Sequence, residues 1–367
     1  MNNMTICLAV HARDALYPLE TFISAHLERL PALVKVVYGG AILRNAVGEP
    51  LGSSLKPFLL AHQIDAVLAE YGHTGIRVME ACAEAHVPLI VHFHGIDGYC
   101  QDILDRYGSQ YQRLFSLASA IVSPSHAMEE QLIRLGAPRE KVFYSPCGVD
   151  VSFFCGAEPE HAPPLFVAVG RFVEKKAPHL TMMAFKRTLD QVPDAHLVMI
   201  GDGPMLDDCL KLSRMLRIKD EVEFRGVCSQ GEIAATLRQA RAFVQHSIRA
   251  PDGDSESSPV SIKEAGASGL PVVSTRHAGI PEIVVHGETG YLVEERNIDA
   301  MAHYMIRLAE DPTLAGRLGG AAARRISAHF SMETTIENLW RIIRQTIPKV
   351  ATPTTPDLGG ETPEGEG

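Results

Sequence analysis

The chain has 367 residues, 46% of them hydrophobic, and a formal net charge of −10. That length suits two α/β domains with substantial cores. The charge is spread as −4 over residues 1–150, −2 over 151–350 and −4 over 351–367, so there is no basic stripe, which argues against nucleic acid and against strong electrostatic docking on anionic lipid.

The first half opens with a strand, Ile6-Cys7-Leu8-Ala9-Val10, behind a start (Met1-Asn2-Asn3-Met4) without a signal-peptide pattern. A loop from His11 to Phe22 follows. Leu51 to Leu60 reads as a core-facing helix or as a membrane contact. Asp65-Ala66-Val67-Leu68-Ala69 leads into Glu70-Tyr71-Gly72-His73. Pro88-Leu89-Ile90-Val91 leads into His92-Phe93-His94-Gly95-Ile96-Asp97. Each pair reads as a strand and its exit loop. Ser125, after Ser123-Pro124, precedes an amphipathic helix and reads as its N-cap. Tyr144 to Asp150 closes this half, and Glu158 to Pro164 is a Pro-rich link. The expected division is 1–160 and 161–330.

The second half starts with Leu165-Phe166-Val167-Ala168-Val169, a continuous apolar run typical of a buried parallel strand. Gly170-Arg171 and Lys176 then flank a strand-to-helix turn, the edge at which open α/β sheets bind ligands. Arginine offers phosphate a planar fork and lysine a mobile point charge. A solvated basic turn is the alternative. Val198-Met199-Ile200 ends in Gly201-Asp202-Gly203-Pro204, and Glu223 to Val227 is a further short strand with a Gly exit, a candidate wall for a nucleobase.

Glu256-Ser257-Ser258-Pro259-Val260-Ser261-Ile262-Lys263-Glu264 reads as a loop entering a helix. Pro259 falls in the first turn and Ser257 or Ser258 caps it. Glu264 is expected about two turns in. Gly269 ends the helix, and Pro271 to Ser274 restarts as a strand. Two carboxylates beside a helix N-terminus suit a sugar joined to a phosphate, because carboxylates accept from hydroxyls and free amides donate to phosphate oxygens. A loop glutamate and an exposed helix glutamate are the plainer alternative. Strands alternate with helices throughout, which implies parallel sheets.

The order Gly-Arg…Lys, Gly-Asp-Gly-Pro, Phe-Arg-Gly-Val, then paired glutamates, resembles the retaining GT-B glycosyltransferases of family four over about residues 4–346. Asp252-Gly253-Asp254-Ser255-Glu256 with Arg276 to Glu282 resembles the members that build bacterial exopolysaccharide and lipopolysaccharide. The resemblance implies an α/β GT-B fold, two Rossmann-like domains with parallel sheets facing across a cleft. A last helix, Met332 to Ile347 with Trp340 (331–348 at its widest), would return to the first domain.

It also implies roles. Arg171 and Lys176 would bind the donor pyrophosphate, and Glu256 and His94 would face the donor sugar. Glu264 would hold the ribose diol, and amides near Ser258, Pro259 and Val260 would reach the phosphates. Val227 would meet the base through its backbone, with Gly170 and Gly203 in the same donor site. Tyr71, His73 and Glu20 fall on the acceptor side. The loop after the first strand lacks the Gly-Gly pair that many members carry, and Pro18 to Phe22 resembles the Pro…Glu-Thr-Phe entry of the exopolysaccharide members.

The implied reaction moves a sugar from UDP-, GDP- or another nucleotide-diphosphate sugar to a hydroxyl with retention. No metal and no cofactor is expected. The acceptor would be a lipid-linked saccharide or a soluble small molecule, and the setting cytoplasmic or peripheral at the inner membrane face. Asp252-Gly253-Asp254 resembles the metal-holding Asp-x-Asp of the other major glycosyltransferase fold, yet reads here as a solvated loop. Seven scattered cysteines without a Cys-x-x-Cys pair point to a reducing compartment and no zinc site. Residues 351–367, rich in Pro, Thr, Gly and Glu, are expected to be disordered. An epimerase or phosphorylase on the same architecture, and a nucleotide-sugar binder without activity, are the rival readings.

Overall fold

A computed structural model describes residues 4–11, 20–39, 43–45 and 55–347. Two sheets carry the fold. The first contains β1 (Thr5–Val10), β2 (Leu33–Gly39), β3 (Leu43–Arg44), β4 (Ala66–Glu70), β5 (Leu89–His92), β6 (Ala120–Ser123) and β7 (Val142–Tyr144), in the order β3-β2-β1-β4-β5-β6-β7. The second contains β8 (Leu165–Val169), β9 (His196–Ile200), β10 (Val222–Gly226), β11 (Ala242–Gln245), β12 (Val272–Thr275) and β13 (Gly290–Val293), in the order β10-β9-β8-β11-β12-β13. Only β2 and β3 pair antiparallel among these strands.

The apolar runs explain the parallel arrangement. Strands covered by helices on both faces need hydrophobic side chains on both, and β4, β5, β6, β11 and β12 are buried along their whole length. Both sheets reverse their strand order once, between β1 and β4 and between β8 and β11. Such switch points open a crevice at the carboxyl ends of the strands. Glu70 is the last residue of β4, and the loops carrying His94, Arg171 and Glu256 leave the sheets at those same ends.

The final helix, Met332–Thr346, lies on the first sheet, not the second. Met332, Ile336, Leu339, Ile342 and Ile343 are buried with Ile6, Leu8, Leu68 and Ile90. Truncating any one of those leucines or isoleucines to alanine costs about 2–5 kcal/mol. Two chain crossings between the sheets run side by side: Val149 N–H donates to Phe330 O (3.0 Å), and Met332 N–H donates to Val149 O (2.9 Å).

Several sequence expectations need correction or limitation here. Leu55 and Leu59 of the Leu51–Leu60 segment are buried in the core, while Pro57 and Leu60 are exposed, so the described part packs as a core-facing helix. Residues 51–54, most of the loop after β1 (12–19) and the tail 351–367 lie outside the described residues. No helix among the described residues is long and apolar enough to cross a membrane.

Candidate active site

The floor of the site is laid by glycines. Gly170, at the end of β8, has φ +156°, and a Cβ there would meet the Lys176 Cδ at 2.6 Å. Its openness lets the Lys176 side chain fold back over the strand end. Gly201 has φ +137°, and a Cβ on it would fall 2.0 Å from Gly170 O. Gly203 behaves alike against Phe172 O at 2.6 Å. Gly203 therefore makes room for the Arg171–Phe172 backbone, a supporting task.

The helix Pro178–Leu189 starts directly after the turn. Lys175 and Lys176 then point at the same loop of the second sheet. Lys175 Nζ lies 3.0 Å from Asp254 Oδ1, and Lys176 Nζ lies 3.0 Å from Glu256 Oε1. Arg171, by contrast, is exposed, and its side chain has no ion pair among the described residues. Two lysines are thus tied to that loop, while Arg171 is exposed beside them.

Glu256 is buried. Burial pushes its carboxyl up, but Lys176, Lys175 and His277 outweigh that and bring it down to about 2. Its backbone is also held, because Glu256 N–H donates to His277 Nε2 (3.0 Å) and His277 Nδ1 pairs with Glu295 Oε1 (2.6 Å). His277 and Glu295 escaped the sequence reading. The one available signal is that His277 lies within the Arg276–Glu282 stretch.

The helix after Glu256 spans Val260–Ser268, with Pro259 as its N-cap residue and no side chain capping it. Pro259 therefore stands just outside the first turn, and neither Ser257 nor Ser258 serves as the cap. Its first amides remain for an anion. Glu264 consequently sits about one turn in, not two. Burial pushes the Glu264 carboxyl up to about 7, against the pull of Lys263 and Lys176. Gly269 ends the helix with φ +100°. A cavity of about 360 Å³ opens between the helix Thr21–Arg29, the Gly148–Asp150 segment and this helix start, with Val260 and Glu264 in its wall. Val227 is not in that wall; it is 81% exposed beyond β10.

The loop Asp252–Ser255 is no free solvated loop. Asp254 is taken by Lys175, Asp252 Oδ1 accepts from Asp254 N–H (3.0 Å), and Asp252 O accepts from Gln101 N–H of the first half (2.7 Å). Close by, Ser125 Oγ lies 3.3 Å from Ser257 Oγ, and Ser125 also caps the helix His126–Arg134. The sequence reading of Ser125 as an N-cap is borne out, and its contact across the cleft is an addition.

On the first sheet, His94 Nε2 lies 2.7 Å from Glu70 Oε2, and Glu70 Oε1 lies 2.7 Å from His26 Nδ1. Burial works to lower the His94 pKa, while the Cys147 thiol and Glu70 raise it to about 10. Glu70 is held well below the usual carboxylate range by His26 and His94 despite its burial. Asp97 organises the turn, accepting from the N–H groups of His94 (3.0 Å), Gly95 (3.0 Å) and Gly72 (2.9 Å). Gly95, with φ +135°, brings that turn against Ser255 and Ser257.

Tyr71, with φ +73°, stacks with His73 and meets His94 edge-on at 4.7 Å, and its hydroxyl donates to Glu20 Oε1 (3.0 Å). His73 is buried with neither ring nitrogen hydrogen-bonded, and burial lowers its pKa to about 3. Tyr71, Glu20, His73 and His94 thus form one group facing the cleft. Glu70, Asp97, Lys175 and His26 complete the picture and were not singled out from sequence.

Comparison with known proteins follows the same two halves. Residues 156–325 match the family described as glycosyl transferases group 1, and residues 10–153 match glycosyltransferase family 4. A protein of Escherichia coli, provisionally named as the colanic acid biosynthesis glycosyltransferase WcaL, is 32% identical over 277 residues, 74% of this chain and 67% of that one. The amylovoran biosynthesis glycosyltransferase AmsK of Erwinia amylovora is 27% identical over 315 residues, 84% of this chain and 76% of that one. Among solved structures, HepE of Anabaena in complex with UDP-glucose superposes with a TM-score of 0.74 at 18% identity, over 94% of this chain and all of that one. This last likeness concerns the fold.

Proposed function

We propose, for a chain that belongs to the group 1 glycosyltransferases of family four and has their GT-B fold, a retaining transfer of a sugar from a nucleotide-diphosphate donor. The observation that carries this reading is the Lys176–Glu256 ion pair beside an uncapped helix start. The donor diphosphate lies between Arg171, Lys176 and the first amides of the Val260–Ser268 helix. The sugar lies over Glu256 toward His94, and the ribose lies at Glu264. The chain divides functionally near residue 160, with the acceptor on the first half.

The step breaks the bond between the anomeric carbon and the diphosphate oxygen, and forms the bond from that carbon to the acceptor oxygen on the same face. The acceptor proton passes to the leaving phosphate. Arg171, Lys176 and the helix start stabilise the charge that develops there. These cations take the place of a divalent ion, and the Asp254 carboxylate is already engaged by Lys175. The names of WcaL and AmsK support assembly of a cell-surface polysaccharide, with a lipid-linked saccharide as acceptor and a soluble small molecule as the alternative. The HepE complex supports a UDP-sugar as the first donor to try.

The test is a proton NMR time course with a matched donor and acceptor. The reading expects an α-linked product from an α-linked donor, with added Mg²⁺ or Mn²⁺ leaving turnover unchanged. A β-linked first product, or donor turnover without any acceptor, contradicts it.

A further inference from the structure

We propose that His277, oriented by Glu295, is a positioning residue of the donor site: it fixes the main chain of Glu256 and so the angle at which that carboxylate meets the donor sugar. The proposal rests on the reading that lays the sugar over Glu256. His277 follows β12 by two residues and Glu295 follows β13 by two, so both stand at the carboxyl edge of the second sheet. His277 is buried, at 3% exposure. Glu256 N–H donates to its Nε2 (3.0 Å), and its Nδ1 meets Glu295 Oε1 (2.6 Å).

The chemistry fixes the direction of these two bonds. A main-chain N–H can only donate, so Nε2 accepts and carries no proton. The ring proton then sits on Nδ1 and is donated to Glu295. In a neutral imidazole the bond made by one nitrogen decides the state of the other. Glu295 thereby selects the tautomer that Glu256 needs. The opposite tautomer would set one N–H against another, and the Glu256 main chain would lose its anchor.

Glu295 is itself held in place. Its Oε2 accepts from Arg249 N–H (3.1 Å), and the neighbouring Ile248 N–H donates to Lys175 O (2.9 Å). One carboxylate therefore connects the segments that leave β8, β11, β12 and β13, the edge at which Lys176 meets Glu256. The turn after His277 is pressed onto the Glu256–Ser257 main chain. Ala278 holds φ +42°, and a Cβ on Gly279 would fall 1.8 Å from Ser257 O. A residue other than glycine keeps such a left-handed conformation only where its surroundings impose it. The nucleotide end of the site is carried separately, by Glu264 on the Val260–Ser268 helix.

The test uses the full chain, with UDP and a UDP-sugar as probes. Nitrogen-15 NMR of histidine-labelled protein, with His277 assigned from its missing signal in H277Q, is expected to show Nδ1 protonated and Nε2 bare. That readout needs no donor. Glutamine carries a side-chain oxygen about where Nε2 stands, whereas asparagine reaches only as far as Nδ1. H277A is expected to lower kcat by about 10²-fold with UDP affinity unchanged. H277Q is expected to recover part of that loss and H277N none of it. Adding E295A to H277A is expected to cost little more, because the two residues act through one chain of bonds. A protonated Nε2, an H277N that outperforms H277Q, or a fully additive loss in the double variant overturns the proposal. A wild type that binds neither UDP nor the UDP-sugar contradicts the donor reading instead, and the position of the imidazole proton still decides this one.

Discussion

Lys176 Nζ stands 3.0 Å from Glu256 Oε1, and the pair joins the turn after β8 to the loop that enters the Val260–Ser268 helix. The two residues lie 80 positions apart in the chain. Both side chains are largely buried, at 16% and 7% exposure. A buried ion pair carries a desolvation cost that its partner must offset, so it is weak evidence for stability, while removing one partner is strongly destabilising.

Lys176→Ala is expected to lose turnover and stability together. It leaves the Glu256 carboxylate buried without its closest cation, which costs about 3–5 kcal/mol. Adding Glu256→Gln to the same chain should return most of the stability and none of the turnover. Urea unfolding beside a transfer assay separates the two. Full stability in the single variant would show that the pair does not form in solution.

Arg171→Ala is expected to behave differently. The side chain is exposed and has no ion pair among the described residues, so unfolding stability should stay within about 0.5 kcal/mol of wild type. Turnover should drop by about 10²-fold if the guanidinium meets the leaving diphosphate. An unchanged rate removes Arg171 from the site.

Glu264 gives a pH signature. Its carboxyl is pushed up to about 7 in the folded chain, against an ordinary value of 4.5. Between those two pH values the folded state keeps a proton that the unfolded chain has released. Stability of the ligand-free protein must therefore fall as pH rises through that window, and level off above it. The total is on the order of 3 kcal/mol. Glu264→Gln should remove this component of the slope and make the protein more stable near pH 8, while weakening the nucleotide by about tenfold or more. Chemical denaturation across the window reads the first part, and calorimetric titration reads the second.

Gly203→Ala tests the floor. The new Cβ would press on Phe172 O at 2.6 Å from a residue at φ +152°, so backbone must move. A loss of about 1–3 kcal/mol is expected, with a raised donor KM because the Arg171 turn shifts with Phe172. Unaltered stability would mean that the turn has slack.

Much of the fold could be read from the chain because buried parallel strands are apolar throughout. Leu165–Val169 and the strand before Glu70 announce themselves in this way. Residue type and spacing place Arg171 and Lys176 in the turn after β8, and Glu256 and Glu264 on either side of a helix start, and the fold has them there. What stayed hidden depends on contacts made by folding. Asp254 reads from sequence as part of a solvated loop, and only the fold sets it 3.0 Å from Lys175. Pro259 looked like a helical residue, and the chain turns one residue later. His26, Glu70 and Cys147 come from separate elements, and no local spacing could group them. Gly203 falls in the donor site on the resemblance alone, and its close approach to Phe172 O shows only in the fold.

The central claim is that the Arg171–Lys176 turn and the Val260–Ser268 helix form a nucleotide-sugar site. Thermal unfolding of the wild type with a panel of UDP-, GDP-, ADP- and TDP-sugars tests it most directly, since a ligand that binds only the folded state raises Tm by mass action. The account predicts a rise of a few degrees with one nucleotide sugar, reduced in both Arg171→Ala and Glu264→Gln. No rise with any nucleotide sugar, or a rise that both variants keep in full, would contradict it.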